Sequence, residues 1–279
     1  MKIIYTKNSL TEEVKRLKNS SLRIGFVPTM GALHQGHLAL MRKAKAENDV
    51  LICSIFVNPI QFNLAEDLER YPRVPEKDIA LIDGLCDVLF MPSVSEMYPA
   101  PPTESYCFGA LENVMEGSCR PGHFNGVAIV VNRLFSMVCP DAAYFGKKDF
   151  QQLAIIRKMV EDMQSNIKIA AVDIVREHDG LAMSSRNSRL SEDARKSAPF
   201  IFQTLTKAKD LIIKYKPQEI NHWLKEEFDA EKEFQLEYAQ MVNGETLEAI
   251  SDYSQADNIV ICLAVWLDNV RLIDNITIK

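Results

Sequence analysis

The 279 residues carry a formal net charge of -6, with 25% charged and 47% hydrophobic residues: enough chain for one long domain or two unequal ones, and no cationic footprint for a nucleic-acid backbone. No run approaches the roughly 20 apolar residues of a membrane helix, and the start MKIIYTKNSL turns polar too soon for a signal peptide, so neither membrane nor nucleic acid is an expected partner. The six cysteines form no CxxC pair and several sit in apolar runs such as LICSIF and VICLAV, which reads as reduced, mostly buried thiols of a cytoplasmic protein.

Along the chain, Leu22–Pro28 is a compact apolar run that predicts a strand, and Gly31 to Asn48 has helical spacing with Leu38, Met41 and Ala44 on one stripe. Leu51–Val57 reads as a second buried strand, Pro75–Gly84 as a helix, and Asp87–Met91 as a third strand. The proline-rich stretch Ser93–Thr103 reads as a surface loop. Val127–Val138 predicts an apolar helix, Ala142–Phe145 a short strand, Asp149–Asp162 a helix and Ile167–Val175 another strand. Continuous apolar strands alternating with helices predict an α/β fold: a Rossmann-like doubly wound parallel sheet covered on both faces. After Arg176 the character changes. Glu192–Tyr215 and Gln218–Phe228 read as helices, and Phe234–Val242, Ile259–Leu267 and Val270–Ile278 as strands, with Asp268-Asn269 a hairpin signal. The expected division is residues 1–176 as the Rossmann-like domain and 177–279 as a smaller C-terminal α+β domain.

The most informative stretch is PTMGALHQGH, Pro28 to His37. It begins where the first strong strand stops, and the carboxyl edge of an open parallel sheet is where ligands bind. The start of the following helix offers backbone N–H groups and a positive dipole end to phosphate. Gly31 and Gly36 allow close approach of the backbone. His34 and His37, three apart, share one helical face and can both donate to phosphate oxygens. A zinc pair is the other reading, but the i, i+4 spacing and glutamate of a zincin helix are lacking.

This phrase resembles the HxGH nucleotidyltransferase superfamily, and as a whole it is similar to the signature of pantothenate synthetases. FGKKDFQQL, Phe145 to Leu153, again closes a strand and opens a helix: the glycine admits a ligand and the lysine offers a charge to phosphate, the other reading being a charged helix start on the surface. It resembles the family's FGxKDxQQL block, with Lys147 where glutamate is commoner. DGLAMSSRN, Asp179 to Asn187, sets two hydroxyls and a guanidinium together after an Asp-Gly turn, or is simply a polar interdomain loop; it resembles a family segment that contacts ATP phosphates. NPIQF (Asn58 to Phe62) resembles NPxQF, and ERYPR and RPGHFNGV match further blocks, Tyr71 reading as structural and the His123 segment as a loop enclosing the substrate. The matches run from about Thr29 to Arg189, in family order.

The resemblance implies ATP-dependent condensation of D-pantoate with β-alanine through a pantoyl adenylate, with Mg²⁺ bridging phosphates, in a homodimer. It implies an ATP site from Met30, Gly31, Ala32, Leu33, His34, Gln35, Gly36 and His37, from Gly146, Lys147, Lys148 and Asp149, and from Val175, Met183, Ser184, Ser185 and Arg186. His34, His37 and Lys148 are the implied catalytic groups, and Gln61 and Gln152 the implied pantoate and β-alanine contacts. Three rivals stand beside it: a cytidylyltransferase, which would release no AMP; a tRNA synthetase, which would need a basic RNA face; and a nucleotide-binding protein without turnover.

Overall fold

The computed structural model describes residues 1–279, the whole chain. In chain order the elements are β1 (Lys2–Ile4), α1 (Lys7–Asn19), β2 (Ile24–Thr29), α2 (Gln35–Glu47), β3 (Val50–Ile55), α3 (Ala65–Arg70), α4 (Pro75–Ile82), β4 (Val88–Phe90) and α5 (Val94–Met97). There follow α6 (Met115–Cys119), α7 (His123–Val138), β5 (Ala142–Gly146), α8 (Phe150–Asp162), β6 (Lys168–Val172), α9 (Glu192–Ser197), α10 (Phe200–Leu211), α11 (Pro217–Ala230), β7 (Phe234–Asn243), β8 (Ile259–Leu267) and β9 (Val270–Thr277). Two compact units emerge. One gathers Met1–Phe108, Arg120–Lys147 and Ile155–Asp173; the other gathers Gly109–Cys119, Lys148–Ala154 and Ile174–Lys279. No helix is long and apolar enough to cross a membrane.

The first unit is built on a six-stranded sheet, order β1-β4-β3-β2-β5-β6, with every pair parallel. Its inner strands are apolar on both faces because helices cover both. Ile24, Phe26 and Val27 of β2 and Leu51, Ile52 and Cys53 of β3 have no exposed surface. Leu38, Met41 and Ala44 of α2 bury against this sheet, each large side chain contributing about 1.5–3 kcal/mol. α7 is apolar almost all round, with Ala128, Val131, Leu134 and Val138 among its buried residues. It stops where Cys139 turns left-handed (φ 46°) before Pro140, which cannot continue a helix.

The second unit carries a three-stranded antiparallel sheet, β7-β8-β9. β8 is its centre and is apolar throughout, with Ile259 to Val265 buried. Asp268 and Asn269 join β8 to β9 with φ of 51° and 57°, the paired positive values of a two-residue hairpin turn. α10 and α11 bury Ile201, Leu205, Ile220, Leu224 and Phe228 in the same core as that sheet.

Several expectations need correction. The first helix of the glycine–histidine stretch begins at Gln35, not Gly31, because Gly31 and Ala32 take positive φ (81° and 50°), which no helix accommodates. The segment from Glu192 to Tyr215 is two helices, since Pro199 has no N–H to give the preceding turn. RPGHFNGV is not an open loop: His123 begins α7. Ser93–Thr103 includes the short helix α5, capped by Ser93. The cysteines divide evenly, with Cys53, Cys86 and Cys262 buried and Cys107, Cys119 and Cys139 exposed, all of them free thiols. β1 and α1 lie outside the predicted set, although α1 has a clear stripe of Leu10, Val14 and Leu17 and a Thr6 cap.

Candidate functional site

In the first unit three segments leave neighbouring strands at the carboxyl edge: Met30–His34 from β2, Asn58–Gln61 beyond β3, and Gly146–Lys147 from β5. β2 pairs with β3 on one side and β5 on the other, so this is the point where the winding of the sheet reverses, the usual ligand crevice of such folds.

The β2 loop is held from outside its own sequence. The buried carboxylate of Asp78, on α4, accepts the backbone N–H of Ala32 at 2.9 Å and of Leu33 at 2.7 Å. Burial raises the Asp78 pKa, while the Leu33 and Ala32 N–H groups pull it down. A Cβ on Gly31 would stand 3.0 Å from Asp78 Oδ2, so the glycine answers to Asp78 as well as to its positive φ. Thr29 Oγ1 donates to the Ser54 carbonyl at 2.8 Å and accepts from Gly31 N–H, pinning the end of β2 to β3. Asp78 is a site residue that motif reading missed. A lone aspartate in the first turn of a predicted helix looks like dipole complementation, and nothing local links it to a loop 46 residues away.

His34 is the N-cap of α2, its Nδ1 accepting the Gly36 N–H at 3.2 Å, and His37 Nδ1 accepts the His34 N–H at 3.2 Å. The ring centroids lie 4.1 Å apart. With both Nδ1 atoms accepting, each neutral ring carries its proton on Nε2 and is a donor there. One helix-start N–H, that of Gly36, is thus taken by an imidazole, which redirects the anion-binding potential of the helix end into two side-chain donors.

Gln61 is buried beside this loop. Its amide nitrogen lies 3.1 Å from the Met30 sulfur and its Oε1 accepts from Asn58 Nδ2 at 3.0 Å. Asn58 also donates to the Gly126 carbonyl and accepts from Tyr98 Oη at 2.8 Å. His123 Nδ1 meets the Gln61 carbonyl at 2.8 Å, so the histidine expected in a substrate-enclosing loop supports the backbone of Gln61 from α7. Gly126 lets α7 come this close: a Cβ there would be 2.5 Å from the Ile60 carbonyl oxygen. Lys147, the departure from the commoner glutamate, pairs with Asp173 at 2.6 Å just past β6, so the reversed charge has a local partner.

The second unit holds the other predicted residues. Lys148, Ser184, Asn187 and Asp274 line one small cleft. Asp149 precedes α8 and is exposed; Gln152 lies in the first turn of α8 and is half-buried. Its neighbour Gln151 is buried, accepting from Glu116 N–H and donating to the Leu111 and Val114 carbonyls, a structural role that the paired glutamines do not reveal in sequence. Val175 and Met183 are joined by a 3.0 Å backbone bond across the Asp179-Gly180 turn. Ser184 caps the turn Ser185–Arg189 by accepting the Arg186 N–H. Arg195 clamps the base of this loop through Asp179 at 2.6 Å and Glu177 at 2.8 Å. Burial raises the Asp179 pKa, but Arg195 and the Leu181 N–H outweigh it and the net shift is downward.

The first unit supplies imidazole donors suited to phosphate, and the second carries the lysine, hydroxyl and guanidinium groups of Lys148 and Ser184–Arg186. Comparison with known proteins shows the family. A statistical description of the pantoate-beta-alanine ligase family matches residues 2–277. The pantothenate synthetase of Porphyromonas gingivalis is 47% identical over 277 residues, 99% of each chain. That of Bacteroides fragilis is 46% identical over 280 residues, 100% of this chain and 99% of its own. Among solved structures, pantothenate synthetase from Thermus thermophilus covers 100% of both chains with a TM-score of 0.94 at 41% identity. The pantoate-beta-alanine ligase of Francisella tularensis, complexed with beta-gamma ATP and beta-alanine, matches with a TM-score of 0.82 at 35% identity over 99% of this chain and 97% of its own. The protein belongs to the pantoate–β-alanine ligase family.

Proposed function

We propose that this ligase makes its amide in two half-reactions on the residues described above. A carboxylate oxygen of D-pantoate attacks the α-phosphorus of ATP, giving pantoyl adenylate and pyrophosphate. The β-alanine amine then attacks the acyl carbon, loses a proton, and releases pantothenate and AMP. The protein need form no covalent bond. Its work is alignment and stabilisation of charge building on the phosphates. His34 and His37 donate from Nε2, and Lys148, Ser184, Ser185 and Arg186 add cations and hydroxyl donors; Met30 to Gly36, Gly146 to Asp149, Val175 and Met183 complete the nucleotide contacts. Gln61 and Gln152 hold pantoate, with Gln61 near the amine. The observation that carries the reading is the locked histidine pair at the start of α2, whose Nδ1 atoms are committed to backbone N–H groups.

Mg²⁺ is proposed as a passenger on the triphosphate. No group of three or more His, Cys, Asp or Glu side chains could hold a metal by itself. The ion would be carried by phosphate oxygens and water and would neutralise charge there. No step above is routed through it. We also propose a cytoplasmic homodimer in which residues 177–279 act as a lid, keeping water from the adenylate.

The test is AMP release from ATP, Mg²⁺ and D-pantoate, with and without β-alanine. AMP that appears only with the amine, together with pantothenate, is the expected result. Pyrophosphate without amine-dependent AMP would return the cytidylyltransferase-like reading, and ATP binding without turnover would return the binding protein.

A further inference from the structure

Most of β9, the stretch Arg271–Asn275 (RLIDN), plays no part in the reaction above, yet three of its side chains hold other segments of the second unit. Arg271 donates through Nη1 and Nη2 to both oxygens of the buried Glu116, at 2.7 and 2.8 Å. Asp274, 3% exposed, accepts from Arg176 Nη1 at 2.6 Å and Nη2 at 3.0 Å. The same guanidinium donates to the Gly180 carbonyl at 3.1 Å and the Asn275 carbonyl at 3.2 Å, and lies 3.7 Å from the centre of the Phe202 ring. Asn275, 4% exposed, donates from Nδ2 to the Lys148 carbonyl at 3.0 Å.

Two adjacent residues of one strand thus reach two separate stretches. Asn275 grips the backbone of the lysine that precedes α8. Asp274, through Arg176, grips the turn from which Ser184, Ser185 and Arg186 follow. A strand bonded into a sheet is stiff, whereas both gripped stretches are loops. A bidentate Arg–carboxylate fork fixes orientation as well as charge. A buried ion pair is a poor way to gain stability, because desolvation consumes much of its attraction, so its use between a strand and a functional loop favours a geometric role.

We propose that Asp274 and Asn275 are positioning residues for ATP, holding Lys148 and the Ser184–Arg186 turn at a fixed spacing from β9. The proposal rests on the reading of those residues as nucleotide contacts. It separates the two half-reactions. ATP presents a triphosphate to both gripped segments, but pantoyl adenylate retains one phosphate, so loss of spacing weakens the first step far more than the second.

The test compares Asn275→Ala and Asp274→Asn with wild type in two assays: pyrophosphate release as ATP is varied, and capture of separately supplied pantoyl adenylate by β-alanine. Asn275→Ala is expected to raise KM for ATP about tenfold, and Asp274→Asn to lower kcat/KM for ATP about a hundredfold, with aminolysis of the supplied adenylate within about twofold of wild type. Equal losses in both assays would overturn the proposal in favour of a purely structural pair. If Asp274→Asn does not fold, Asn275→Ala, which keeps the ion pair, decides alone. Lys148→Ala is the control. If it abolishes pyrophosphate release while both β9 variants match wild type, this proposal fails and the nucleotide site stands. If Lys148→Ala is itself harmless, the nucleotide reading falls and this proposal with it.

Discussion

At the scale of single residues, the histidine pair and the two glutamines differ in how much of their chemistry lies in their own atoms. His37 both caps the His34 N–H and presents Nε2. His37→Ala is expected to slow pyrophosphate release by about 10²–10³, the usual cost of one key donor to developing charge. A near-normal rate in that variant would remove His37 from the mechanism. Gln152 sits half-buried in the first turn of α8. Gln152→Ala is expected to raise KM for pantoate well above any change for ATP, and equal changes in steady-state kinetics would refute the assignment. The motifs made both residues legible in sequence. They did not reveal the Nδ1 contacts, because the tautomer follows from backbone N–H positions that only the folded loop creates.

At the scale of elements, α4 governs the loop after β2. Asp78→Ala removes the carboxylate that accepts the partly buried Ala32 and Leu33 N–H groups, a loss of about 1 kcal/mol for each hydrogen bond. The expected outcome is a lower denaturation midpoint together with adenylation slowed about tenfold or more, since a displaced loop moves both histidines. Unaltered adenylation in the variant would show that the loop holds its shape without α4. At the other end of the unit, Glu13 of α1 ties this helix to β1 through Lys2 at 2.6 Å and bonds Arg16 at 2.5 Å. Hydrogen bonds from Arg16 and Lys2 lower its pKa from 4.5 to about 2. A depressed carboxyl stabilises the fold above its unfolded value and loses that contribution as pH falls between the two. Glu13→Gln is therefore expected to cost about 1–2 kcal/mol at neutral pH, less than the whole shift because both cations are largely exposed. The gap from wild type in urea titrations should close between pH 4.5 and 2; a constant gap would show that packing, not charge, is lost.

For the whole molecule, the proposed homodimer has a direct measure. Light scattering should give twice the 31.6 kDa chain mass, and a monomer mass at micromolar concentration would withdraw that part of the reading. The alternation of apolar strands and helices made the parallel sheet legible, since both-face burial writes itself as continuous apolar runs such as LICSIFV. The antiparallel sheet was legible through β8 and the Asp268-Asn269 turn. β1 was not, because three residues at a sheet edge carry too little pattern to stand out.

The sequence by itself determined the fold class, the strand-end position of PTMGALHQGH and the family, because periodicity and contiguous motifs are local quantities that need no partner to be read. Only the tertiary structure decided what holds those motifs in place. Asp78 beneath the β2 loop, His123 behind Gln61, Asp173 beside Lys147, and Asp274 with Asn275 behind Arg176 and Lys148 are each an ordinary side chain in its own neighbourhood. Their meaning is a pairing across long stretches of chain, such as the separation of 98 positions from Arg176 to Asp274. Such pairs leave no periodic trace, since they are set by which strands neighbour one another and by the cost of leaving a buried donor or charge without a partner.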